Sequence, residues 1–187
     1  MDILIDYHKK LVENLSALNL DFFKETTSFQ FKTGEMKTYV DENTSRSCQM
    51  WDRFWKANYK VTGPVIYWFS IEDCEIINEH VLNEFDTYRR TNLRITPPVS
   101  TNAKQSDSRI LYVGSCRSTR IRDRFFWHTG YYKEGKTQGL QLCHWAIPLN
   151  IPIHLQYICL DPALKDLTSV YESELARVLK PLLGKHK

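Results

Sequence analysis

A chain of 187 residues with 42% hydrophobic and 13% aromatic side chains has enough apolar surface to close one domain with an elaboration on it, which excludes a disordered or low-complexity protein. No apolar run is long enough to span a bilayer, and the opening MDILIDYHKKLVEN carries charge where a signal peptide needs an apolar block, so a cytoplasmic protein with no membrane role is expected. A net charge of +3 identifies no partner by itself, and five cysteines without a CxxC pair point to core thiols rather than a disulfide framework or a zinc site.

Leu4, Tyr7, Leu11, Leu15 and Leu18 recur at spacings of three and four, which predicts a helix over residues 2 to 20. From 21 to 60 the pattern is irregular. SFQFKTGEMKTYV alternates enough for a short hairpin, and SCQMWDRFWKANYKV is aromatic-rich without a clear period. TGPVIYWFSI, residues 62 to 71, is a turn feeding a β-branched and aromatic strand. EDCEIINEHVLNEFDTYRR repeats apolar residues at Ile76, Ile77, His80, Val81 and Phe85, as a helix with an acidic first turn would. TNLRITPPVSTNAKQSDS, with Pro97 and Pro98, reads as a long loop. RILYVG is then a second strand, STRIRDRFFWH a helix from about residue 119, QGLQLCHWAI a short helix and PIHLQYICL a third strand. VYESELARVLKPLLG closes the chain as a helix stopped by Pro181. The organisation expected is an N-terminal extension over 1–61 packed on a core of 62–187, with 72–108 inserted into that core.

Charge is unevenly placed. Arg117, Arg120, Arg122 and Arg124 cluster after YVG, and Lys180, Lys185 and Lys187 lie near the end, whereas acids concentrate between 72 and 86. At 100° per residue, Arg120, Arg124 and His128 form one helical stripe beside the apolar pair Ile121 and Phe125. An arginine at the rim of a core cannot shed its proton and needs an anion or a carboxylate. In the last helix, Glu172 shares a face with Leu175, Ala176, Leu179 and Leu183, while Glu174 points nearly opposite. A carboxylate on an apolar stripe is costly unless it is paired or holds a metal. A salt bridge from Glu172 to Arg124 or a neighbour would satisfy both groups structurally, and the strand tyrosines Tyr67 and Tyr112 could each be simple packing residues.

Taken together, these residues resemble the GIY-YIG nuclease family. VIY at 65–67 looks like the first name motif and YVG at 112–114 the second. Arg124 and His128 reproduce the R-x-x-x-H spacing in the following helix, and Glu172 with Leu175 matches E-x-x-L. Gly184 stands twelve residues after Glu172, where the family carries an asparagine. The likeness spans roughly 62 to 184 and rests on the order and spacing of all these elements together. It departs at Val65, which replaces the first glycine, at the 44 residues between the two tyrosines, and at Gly184.

The resemblance implies an α+β fold, a small three-stranded antiparallel sheet flanked by helices, here with an N-terminal helical extension and an insertion between the first two strands. It implies phosphodiester hydrolysis with one divalent cation, Mg²⁺ or Mn²⁺, held by Glu172. Tyr67 would take a proton from the attacking water, Arg124 would neutralise charge on the phosphate, and Tyr112 and His128 would orient the reacting groups. Arg122 ranks second for the arginine role. Arg117, Arg120 and Arg122 would contact nucleic acid, DNA ahead of RNA, in a restriction or defence setting. Cutting both strands from one site per chain would call for a homodimer. Trp51, Trp55 and the prolyl loop are candidates for target choice, with core packing the alternative for both tryptophans. The alternative function is a degenerate domain that binds nucleic acid, or a protein partner through its acidic helix, without cutting.

Overall fold

The computed structural model describes residues 26–41, 43–44, 47–72, 78–91, 93–118, 120–132 and 138–185, with isolated positions 5, 6, 9 and 13. Those four positions are helical, while the apolar face expected over 2–20 lies outside the described residues. Four strands build one antiparallel sheet in the order β1-β4-β2-β3: β1 Thr27–Lys32, β2 Val65–Ile71, β3 Ile110–Cys116 and β4 Pro152–Cys159. Among the residues described from 26 onward, five α-helices accompany it, α1 Gln49–Asn58, α2 Asn78–Arg89, α3 Ile121–Thr129, α4 Leu142–Trp145 and α5 Thr168–Leu179. Among the described residues no helix is long and apolar enough to cross a membrane.

β2 is the run VIYWFSI, buried at six of its seven positions because strands flank it and side chains cover both its faces. It pairs with β3 so that Tyr67 stands opposite Gly114 and Phe69 opposite Tyr112. With the two-residue period of a strand, those four residues share one face of the sheet. The strands that carry VIY and YVG are therefore neighbours.

The sheet has a fourth strand where three were expected. Residues 27 to 32 do not fold back on the next segment as a hairpin. They pair with β4, Phe29 opposite Leu155 and Phe31 opposite Ile153. The alternating phenylalanines need an apolar floor, which β4 supplies. The chain after Lys32 is diverted into a turn held by Thr33, whose hydroxyl donates to the Ala146 carbonyl (2.7 Å) and accepts from the Ile151 amide (3.0 Å). SCQMWDRFWKANYK, left without an element above, contains α1. It buries Met50, Trp51, Phe54 and Asn58 and stacks Trp51 on Phe125 of α3 at 5.5 Å and 3°. The Tyr157 hydroxyl donates to Asn58 Oδ1, tying the end of α1 to β4. Residues before 62 thus contribute a strand and a helix to the main core.

The segment between β2 and β3 carries α2, which buries Val81, Leu82 and Phe85 and sets Phe85 edge-on to Trp145 of α4 at 5.3 Å. His80 faces out rather than joining that apolar face, and Ile76 and Ile77 lie outside the described residues. Asn78 ties the start of α2 to the approach to β3 by donating to the carbonyls of Ser106 and Ser108. Among its described residues, the loop after α2 forms a short turn at Ala103–Gln105 and an isolated antiparallel bridge from Val99 to Leu183. Cys48, Cys116 and Cys143 are buried, Cys159 is exposed, and all four are free thiols, while Cys74 lies outside the described residues.

The opposite face of the sheet is closed by α5. Ile66 packs there with Leu160 and Leu164, against Tyr171 and Leu175. Beyond Lys180 the chain turns and runs beside β3, with the amides of Leu182 and Leu183 donating to the carbonyls of Ile110 and Leu111. This segment covers the first half of the β3 edge.

Candidate active site

α5 packs on one face of the sheet and α3 on the other, and each sends one side chain, Glu172 and Arg124, to the edge strand β3. A cavity of about 340 Å³ there is lined by Tyr67, Tyr112, Ser115, Arg117, Ser118, Arg124 and Glu172. Four of the five expected catalytic residues wall it directly. The fifth, His128, stands behind Tyr67.

Gly114 makes this convergence sterically feasible. A Cβ at that position would come within 2.6 Å of Tyr67 Cζ and Oη and 2.7 Å of Tyr112 Cε1, so only a glycine lets the two rings close over β3. Tyr67 is 1% exposed and its hydroxyl lies 2.9 Å from His128 Nε2. The other ring nitrogen, Nδ1, accepts from the Leu140 amide at 3.2 Å. A backbone N–H only donates, so Nδ1 is the bare nitrogen. Burial, reinforced by the Arg124 charge, lowers the His128 pKa to about 3. The neutral ring therefore carries its one proton on Nε2 and donates it to Tyr67. The tyrosine keeps its own hydroxyl proton for another acceptor.

Burial pushes the Tyr67 hydroxyl well above the usual tyrosine range, with Tyr112 adding to the effect and Arg124 opposing it. Tyr112 is raised to about 12 by burial and by the Glu172 carboxylate, again opposed by Arg124. Arg124 is half-buried with its guanidinium 5.0 Å from the Trp127 ring, and its Nε has no hydrogen-bond partner. Glu172 Oε2 accepts from Ser115 Oγ at 2.5 Å. Among the described residues no ion pair joins Arg124 to Glu172, so the salt bridge that could have neutralised both is not made.

The basic residues divide. Arg117 is exposed at the cavity rim. Arg120 is exposed too, but it is the extended residue before α3 (φ −68°, ψ 143°) and not part of a helical stripe, because α3 begins at Ile121. Arg122 is turned away. It is 8% exposed, lies 4.2 Å over the Trp55 ring and donates to the Tyr59 carbonyl at 3.3 Å. That packing of α3 against α1 leaves Arg122 little surface for a phosphate and removes it as the alternative arginine of the site. Trp55 is engaged in the same contact and Trp51 is in the core.

Ser115 was not singled out in the sequence. Its position directly after YVG turns it to the α5 face by strand alternation, but its meeting with Glu172 spans 57 residues. Gly184, twelve residues after Glu172, is buried with φ 130°, a conformation that suits glycine and not a side-chain-bearing residue.

No protein-family model, curated protein or solved structure matches this chain. Among the described residues no group of three or more His, Cys, Asp or Glu side chains could enclose a metal ion. The donor set at the cavity, one half-buried carboxylate with a hydroxyl beside it, fits a hard cation that takes most of its shell from water and phosphate oxygen.

Proposed function

We propose that the chain is a metal-dependent endonuclease of the GIY-YIG type, hydrolysing phosphodiester bonds in nucleic acid, DNA ahead of RNA. The observation that carries the reading is that Tyr67, Tyr112, Arg124 and Glu172 wall one cavity while Arg124 and Glu172 form no ion pair. A cation and an anion left unpaired in the same pocket suit a ligand that brings both charges, such as a phosphate with its counter-cation.

In this reading Arg124 binds the phosphate through its guanidinium and stabilises the charge that builds on it during attack. Tyr67 stands where it can hold or accept a proton. The Nε2–H of His128 donated to its oxygen favours the phenolate, which offsets part of the cost of ionising a buried hydroxyl. Tyr112 narrows the cavity and keeps water orientations few. Mg²⁺ or Mn²⁺ held by Glu172 would supply Lewis-acid stabilisation of the leaving oxygen and acidify a bound water. Arg117 and Arg120, at the rim and before α3, add contacts to neighbouring phosphates.

The test is supercoiled plasmid incubated with Mg²⁺ or Mn²⁺, with EDTA and Glu172→Ala as controls. Metal-dependent nicking or linearisation that the variant lacks is the expected result. Salt-sensitive binding with no cleavage under either cation would favour a non-cutting nucleic-acid binder, a role that Gly184 and the raised Tyr67 hydroxyl would suit.

A further inference from the structure

Two carboxylates lie one residue apart on α5, and the structure treats them differently. Glu174 is exposed and paired with Arg177 at 2.9 Å. Glu172 is half-buried, because Leu175, three residues further on, packs into the apolar cluster around Ile66 and so fixes which face of α5 meets the sheet. Ser115 stands opposite Ile66 in the β2–β3 ladder, on that same face, and its hydroxyl donates to Glu172 Oε2 at 2.5 Å. A hydroxyl donating to an ionised carboxylate makes a charge-assisted hydrogen bond. Oε1 has no hydrogen-bond or ion-pair partner among the described residues.

We infer that Ser115 is a positioning residue that engages one oxygen of Glu172 and so presents the other, Oε1, as a single-oxygen ligand to the cation. The backbone of Ser115 is held in the β3 ladder, so the hydroxyl is a rigid reference for the carboxylate. Small octahedral cations such as Mg²⁺ and Mn²⁺ are satisfied by one carboxylate oxygen and water, whereas Ca²⁺ favours more protein oxygens and two-oxygen carboxylate contacts. With one lone pair of Oε2 engaged, the two-oxygen mode is disfavoured, and the site prefers Mg²⁺ or Mn²⁺ to Ca²⁺. The inference rests on the nuclease reading only in requiring a cation at Glu172.

Direct metal binding tests it without reference to cleavage. Mn²⁺ is titrated into the full chain and followed by the electron paramagnetic resonance of free Mn²⁺, with Ca²⁺ as competitor, for the wild type, Ser115→Ala, Ser115→Thr and Glu172→Gln. Thermal unfolding of each variant shows that it is folded. The expected result is Mn²⁺ binding abolished by E172Q and weakened roughly 10- to 100-fold by S115A, as for other groups that orient a metal ligand. S115A should also let Ca²⁺ compete more effectively, and S115T, which restores the hydroxyl, should recover wild-type behaviour. Wild-type affinity and wild-type Mn²⁺ over Ca²⁺ preference in S115A, with E172Q still inactive in binding, would overturn the role of Ser115 alone. Binding that is absent in the wild type or indifferent to E172Q would overturn the cation at Glu172, and the role of Ser115 with it.

Discussion

The hydroxyl of Tyr67 accepts a hydrogen bond from His128 Nε2 at 2.9 Å, and the Leu140 amide on the far side of the ring fixes that direction. A buried imidazole that is already committed as a donor on one nitrogen and an acceptor on the other cannot also serve as a proton store. Replacing Tyr67 with Phe should abolish cleavage while leaving the fold intact. It should destabilise by about 1 to 3 kcal/mol, because Nε2–H is left buried without a partner. Parallel cleavage assays and urea unfolding check both halves. Cleavage at the wild-type rate in Y67F would remove Tyr67 from the chemistry.

Gly114→Ala addresses the close approach of the two tyrosines. The added methyl would press on Tyr67 and Tyr112 at 2.6 to 2.7 Å, and Tyr67 can give way only by moving off its contact with His128. A loss of about 1 to 3 kcal/mol is expected, as for other overpacked cores, together with a fall in cleavage larger than the loss of folded protein explains. An alanine variant with unchanged unfolding and unchanged cleavage would contradict this packing.

Stability should depend on pH through His128 and His144, whose folded pKa values are lowered to about 3 and about 4, for each mainly by burial and then by a nearby arginine charge, Arg124 and Arg94. In the unfolded chain both bind protons as pH falls past about 6.5, while in the folded chain they stay neutral to far lower pH. Protonation therefore favours the unfolded state. The stability present above about pH 6.5 is lost as pH falls towards the folded values, each unit of separation being about 1.4 kcal/mol for the fully buried His128. Urea midpoints measured from pH 7.5 to 4.5 should fall steadily, and less steeply in His128→Gln. A flat profile over that window would show that His128 is not held neutral.

The arginines should separate by function. Arg122→Ala should lower the thermal midpoint, since it removes the contact with Trp55 and Tyr59, and should leave the salt dependence of nucleic-acid binding unaltered. Arg117→Ala and Arg120→Ala should weaken binding and each reduce the salt slope by about one, with little effect on unfolding. Filter binding across a salt series distinguishes them. A reduced slope in R122A would place that side chain on the binding face after all.

What could be read from the chain alone follows from the range of each signal. VIYWFSI announces a strand by composition, and the spacing of Glu172 to Leu175 announces which face of α5 is apolar, because both are local patterns. The alternation of SFQFK marks an extended segment, but a hairpin is the wrong partnership for it, because its partner β4 lies more than a hundred residues away and pairing at that distance leaves no local mark. α1 was obscured by its own aromatics. Trp55 and Tyr59, exposed at 41% and 52%, blur the contrast with buried Trp51 and Phe54 that a helical period needs. Arg122 looked like Arg117 and Arg120 because all are arginines in one short run, and only the approach of Trp55 from another helix sets it apart. The meeting of Ser115 with Glu172 is of the same kind, a contact between faces that the sequence lists far apart.

The most direct test of the account presents end-labelled randomised libraries of duplex DNA, single-stranded DNA and RNA to the wild-type chain in Mn²⁺, beside Glu172→Ala and Arg124→Ala, with products resolved by length. Because every short sequence is represented, an unknown target does not hide the activity. The account predicts cleavage of at least one library by the wild type, none after EDTA, and none by either variant. Libraries left uncut by the wild type, or cut equally by E172A and R124A, would contradict a phosphodiester-cleaving site built from Tyr67, Tyr112, Arg124 and Glu172.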